Sequence, residues 1–139
     1  MRILDTNIFL RAMTEPTSPA DEQMRLLSQR LFQQVLDGQE EVITCEAVLH
    51  EVFYLLCSTR NYGLEHVEAV GRVRLVFDEP SFHIARKQTV SRAIDFFRDR
   101  SALDFADCLL AAYAAEDGHD LTTFDRDLAK AAGVEVFGA

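Results

Sequence analysis

Hydrophobic residues along the chain follow two alternating spacings, short aliphatic or β-branched runs and longer stretches in which apolar side chains recur every three or four residues. The first run, Met1–Leu4, reads as a short strand stopped by Asp5, and Ile8, Phe9 and Leu10 continue as an apolar turn or the opening of a helix. After a Thr/Pro/Ser-rich loop, Ser18-Pro19-Ala20-Asp21 has the form of a helix start: a capping hydroxyl, proline at the first helical position and an acid three residues on. Met24, Leu27, Leu31 and Val35 then recur at helical spacing until Asp37-Gly38.

The alternation repeats. Val42-Ile43-Thr44 predicts a strand, Glu46–Ser58 a helix with Val48, Val52, Leu55 and Leu56 as apolar positions, and Leu64–Phe77 a more polar helix stopped by Asp78-Glu79-Pro80. Phe82-His83-Ile84 predicts a third strand, and Arg86–Arg100 a basic helix around Val90, Ile94 and Phe97. Asp104–Ala115 has the strongest helical propensity, and Gly118 closes it. Leu121-Thr122-Thr123 predicts a strand ending at Phe124-Asp125, followed by a short helix through Leu128 and Ala131 and a last strand at Val134-Glu135-Val136. Strands alternating with helices imply a parallel sheet, because parallel neighbours need crossover connections. The expected fold is an α/β three-layer sandwich, a central parallel sheet flanked by helices.

Composition narrows this to one domain over residues 1–139: the chain is 48 % hydrophobic and long enough to bury a core without staples. Cys45, Cys57 and Cys108 are odd in number and lie within apolar patterns, which fits buried thiols in a reducing compartment such as the cytoplasm. No apolar stretch approaches the roughly 18 residues that span a bilayer, and no targeting segment is expected. The formal charge of −9 disfavours nonspecific nucleic-acid binding, so nucleic-acid chemistry would need a local basic surface or bound metal.

The candidate chemistry lies in acids at element ends. Asp5 ends the first strand within Leu4-Asp5-Thr6-Asn7, Glu51 sits among apolar helix positions, Asp107 lies one turn after Asp104, and Asp125 follows the strand at Thr123. Each has a structural alternative: Asp5, Asp104 and Asp125 suit helix caps, Asp127 competes with Asp125, and Glu51 falls at the margin of a stripe of Leu49, Val52, Leu55 and Leu56. Sharing a face with Val48 and Leu55, Glu51 is expected to be partly buried. Ligands of open parallel sheets bind outside the carboxyl ends of the strands, which would gather Asp5, Glu51, Asp107 and Asp125 on one rim as an oxygen-only cage for Mg²⁺ or Mn²⁺. His50, His66, His83 and His119 read as surface or core groups rather than catalysts. Arg86, Lys87, Arg92 and Arg98 offer a guide for a nucleic-acid backbone, although a basic helix face is usually just solvated. A receiver-like phosphate-signalling domain would need paired acids after the first strand and a lysine after the last, and neither is present.

Taken in order, Leu4-Asp5-Thr6-Asn7-Ile8, Glu51 in a helix, Asp104-Phe105-Ala106-Asp107 leading into Leu109-Leu110-Ala111-Ala112, and Leu121-Thr122-Thr123-Phe124-Asp125 resemble the PIN-domain ribonucleases, most of all the VapC-type toxins of toxin-antitoxin pairs. The resemblance spans nearly the whole chain. It implies a metal-dependent endoribonuclease that uses Mg²⁺ or Mn²⁺ to cut single-stranded or loop RNA, restrained by a cognate antitoxin and forming a homodimer. It assigns Asp5, Glu51, Asp107 and Asp125 to the catalytic, metal-holding acids, and Thr6, Asn7 and Thr123 to supporting positions; Asp104, at the helix start where Asp107 lies deeper, reads as auxiliary. The alternative is a catalytically silent PIN-like module that holds RNA or a protein partner.

Overall fold

The computed structural model describes residues 1–139. Three short strands form its sheet: β1 (Arg2–Ile3), β2 (Val42–Ile43) and β3 (Phe82–His83), all parallel, in the order β1-β2-β3. Flanking backbone bonds lengthen each pairing by a residue at either end, Leu4 N to Ile43 O at 2.9 Å and Thr44 N to His83 O at 3.1 Å among them. The Thr44 hydroxyl adds a bond to the Leu4 carbonyl at 3.1 Å, tying the ends of β1 and β2 together just before Asp5.

Seven helices flank the sheet. Helices α1 (Thr6–Met13) and α2 (Pro19–Leu36) connect β1 to β2, and α3 (Glu46–Cys57) and α4 (His66–Phe77) connect β2 to β3; α5 (Lys87–Asp99), α6 (Phe105–Asp117) and α7 (Arg126–Ala132) follow. Their limits are chemical. The Ser18 hydroxyl accepts from Asp21 N with Pro19 in the first turn of α2, and Gly118 at φ +68° supplies the left-handed turn that ends α6.

Phenylalanines join the layers. Phe9 of α1 meets Phe32 of α2 and Phe82 of β3 edge-on at 5.5 and 6.1 Å, while Phe53 of α3 packs against Phe97 of α5 and Phe105 of α6 at 4.8 and 4.9 Å. All but Phe32 are almost wholly buried. Removing one such ring costs about 3–5 kcal/mol, because its neighbours cannot close the hole. The thiol of Cys108 lies inside this core, where burial pushes it up to about 12.

The two expected carboxyl-terminal strands are absent. Leu121–Thr123 and Val134–Val136 have no strand ladder; the stretches are joined by a bond from Phe137 N to Thr123 O at 2.8 Å and by the rings of Phe124 and Phe137 at 5.6 Å. β-Branched residues favour a pleated surface only where a neighbouring strand offers a ladder and a face to bury. Thr122, Phe124 and Glu135 are exposed instead, so propensity has nothing to act on. The parallel sandwich stands with a smaller sheet than the spacing predicts.

Candidate active site

Three of the four predicted acids lie in the opening turns of helices. Asp5 leaves β1 in extended conformation and caps α1, its carboxylate accepting from Thr6 N at 2.7 Å; Thr6 is buried behind it and Asn7 is exposed. Asp104 and Asp107 form a reciprocal capping box at the start of α6, with Asp107 N donating to Asp104 at 2.8 Å and Asp104 N to Asp107 at 3.3 Å. Asp125 caps α7 through Leu128 N at 3.0 Å, and its own N–H donates to the Thr123 hydroxyl at 3.0 Å. The capping role and the proposed ligand role therefore coincide. Each cap engages one carboxylate oxygen and leaves the other for a further partner, in a helix-end field that favours negative charge.

Glu51 departs from expectation. Its side chain is exposed, because the buried stripe of α3 is Leu49, Val52, Phe53 and Leu56, and Glu51 falls about 100° of helix away from Val52. The marginal placement holds, and the partly buried one does not.

Charge shows which acids are neighbours. Burial raises the Asp107 carboxyl above its ordinary range, and the negative charges of Asp104 and then Asp125 add to that rise. Asp127 makes no such contribution and instead lines a separate cavity with Arg100 and Lys130. No three histidine, cysteine or acid side chains converge tightly enough to hold a metal ion by themselves. The expected all-protein cage is thus not closed. The donor chemistry still suits a hard dication such as Mg²⁺, which is commonly held by one or two carboxylates together with waters and substrate phosphates.

Asp5, Glu51, Asp104, Asp107 and Asp125 all lack a basic partner, whereas the cations of the predicted RNA guide are engaged. Arg86 forks onto Asp117 at 2.7 and 3.0 Å, Arg92 reaches Glu116 at 3.1 Å, Arg98 pairs with Asp95 and Asp99, and Lys87 donates to the Glu79 and Phe82 carbonyls. The cations expected to guide RNA are thus matched to carboxylates or carbonyls of the chain itself. Two residues that the sequence did not single out hold elements together: Thr44, which fixes the strand end that precedes Asp5, and Glu46 of α3, which accepts from the Tyr113 hydroxyl of α6. Thr44 was visible only as a β-branched strand residue, and nothing in the spacing pairs Glu46 with Tyr113.

Residues 2–134 match the family model of the PIN domain. The chain belongs to the PIN-domain family, whose members are generally metal-requiring nucleases. No curated protein matches it. No helix is long and apolar enough to cross a membrane.

Proposed function

We propose that this PIN-domain protein is a Mg²⁺- or Mn²⁺-dependent endoribonuclease and the toxin of a VapC-type toxin-antitoxin pair. One observation carries the nuclease part: Asp5, Asp104, Asp107 and Asp125, at the starts of α1, α6 and α7, have no basic partner, and Asp104 and Asp125 press on Asp107 as negative neighbours. Carboxylates in that condition call for a cation.

Asp5, Glu51, Asp107 and Asp125 would hold the ion, with Asp104, Thr6, Asn7 and Thr123 setting their orientation. When bound, a divalent cation neutralises a scissile phosphate and makes an attacking water more acidic. Glu51 or Asp125 would accept the water's proton, since each is exposed and without an ion-pair partner. Asp5 keeps its capping bond to Thr6 N throughout, which fixes its free oxygen in place. Hydrolysis by water would leave a 5′-phosphate and a 3′-hydroxyl. The toxin role, a small antitoxin partner, a homodimer and a cytoplasmic setting rest on the family resemblance of the motifs. A silent module that binds RNA or protein is the second reading, favoured by the lack of any three acids close enough to hold a metal ion by themselves.

The test is cleavage of single-stranded RNA by the purified, antitoxin-free chain. We expect cutting in Mn²⁺ that stops in chelator and in Asp5→Asn, which retains the capping oxygen and removes the charge. A folded chain that binds RNA and never cuts it would establish the silent module instead.

A further inference from the structure

We infer that the cavity between α3 and the turn joining α5 to α6 is a subsite for one unpaired RNA base next to the scissile phosphate. The inference rests on the nuclease reading above and adds how the substrate would be chosen. The cavity has a volume of about 350 Å³, at the small end of ligand pockets, and is open to solvent on one side. It adjoins the acid rim through the chain itself: His50 immediately precedes Glu51, and Asp104 shares its capping box with Asp107.

Its lining suits a flat, neutral, hydrogen-bonding ring. The His66 ring stacks on Phe97 at 3.8 Å with planes 14° apart, and His66 Nδ1 donates to the Phe97 carbonyl at 2.8 Å, so the pair forms a fixed aromatic wall. That bond leaves Nε2 of a neutral His66 as an acceptor. Tyr54, 61 % exposed, adds a second aromatic surface. His50 Nδ1 is buried with no hydrogen-bond partner in the chain. A buried polar atom of this kind is normally satisfied, so the His50 ring at the cavity wall carries an unmet hydrogen-bonding need. Ser101 adds a hydroxyl. No arginine or lysine lines the cavity, which argues against a phosphate as its occupant. Aromatic faces with a few edge-directed polar atoms are the means by which proteins hold splayed single-stranded bases.

Two measurements on the whole chain test it. A single-stranded oligoribonucleotide carrying 2-aminopurine, mixed with the protein in chelator, should lose fluorescence as the base stacks. His50→Phe, which keeps the ring and removes the polar atoms, and Tyr54→Ala, at an exposed position, should each weaken that binding about tenfold. With Mn²⁺ and random-sequence RNA, the wild type should favour particular bases at one position flanking the cut, and both variants should flatten that preference while raising KM more than they lower kcat. Quenching and base preference that survive in both variants would overturn the subsite and leave the nuclease standing. Quenching that the variants abolish in a chain that never cuts RNA would sink the nuclease reading and retain the cavity as a base site.

Discussion

Two charged regions of this molecule treat their acids in opposite ways. Around α5, carboxylates are matched: Asp95 meets Arg74 at 2.7 Å and Arg98 at 3.3 Å, Asp99 meets Arg98, Asp117 meets Arg86 and Glu116 meets Arg92. The proposed site acids Asp5, Glu51, Asp104, Asp107 and Asp125 have helix N–H groups or solvent as partners and no cation. The chain carries a net charge of −9, and four separated segments contribute site acids that no arginine or lysine meets. The α5 face also holds Arg86 at φ +54°, a left-handed conformation unusual for a bulky residue, with its guanidinium on Asp117 and over the Tyr113 ring at 4.5 Å. Charge there serves the fold. The proposed site acids have no such counter-charge within the chain.

Neutralising one acid in each region should separate them most sharply. Asp5→Asn and Asp107→Asn keep their oxygens as cap acceptors, so helix and fold should persist while metal-dependent RNA cleavage falls by at least about a hundredfold. Asp117→Asn breaks the fork with Arg86 and should leave the cleavage rate within about twofold of wild type, with a small loss of thermal stability. Side-by-side initial rates and melting curves check all three. Equal losses of activity in Asp5→Asn and Asp117→Asn would erase the distinction.

The sequence already displayed much of this contrast, unevenly. Ser18-Pro19, Asp37-Gly38 and Gly118 marked helix limits correctly because caps are local chemistry, read within a few residues. The first three strands were legible from β-branched and aromatic runs. Leu121–Thr123 and Val134–Val136 had the same look and formed no ladder, because a strand also needs a neighbour and that information is not local. For the site, helix caps and ligand candidates turned out to be the same residues, so Asp5, Asp104 and Asp125 could be found by motif although their surroundings could not. Burial of Glu51 was misjudged because two stripes were compatible with the spacing of α3, and only packing against Phe97 and Phe105 through Phe53 selects between them. The basic look of α5 promised a surface for RNA, while its ion pairs with Glu116 and Asp117 of α6 depend on tertiary contact.

A divalent ion should act on one region alone. If the rim acids hold Mn²⁺, adding it in RNA-free buffer should raise the melting temperature by several degrees, since a ligand at a hundred times its dissociation constant contributes about 2.7 kcal/mol. Asp107→Asn should lose most of that rise, whereas Asp117→Asn should keep it. Differential scanning calorimetry with and without chelator gives the answer, and a rise of equal size in both variants would place the ion elsewhere.

The smallest effect has the clearest sign, and it separates the regions without substrate or metal. The folded chain holds the Asp117 carboxyl below its reference value of 3.8, chiefly through the hydrogen bonds from Arg86, and holds the Asp107 carboxyl above 3.8, chiefly through burial and then Asp104. An acid depressed on folding stabilises the native state above its unfolded pKa and gives that up as pH falls through the folded value; an acid raised on folding opposes the native state at neutral pH and ceases to do so as it takes up its proton. In chelator at pH 7, Asp117→Asn should therefore be slightly less stable than wild type, and Asp107→Asn equally or slightly more stable. On acidification, the Asp107→Asn difference should fade while pH is still above 3.8, and the Asp117→Asn difference only below it. Urea midpoints across that range resolve the order, and differences of the same sign in both variants would mean that the rim acids are no less satisfied by the protein than those along α5.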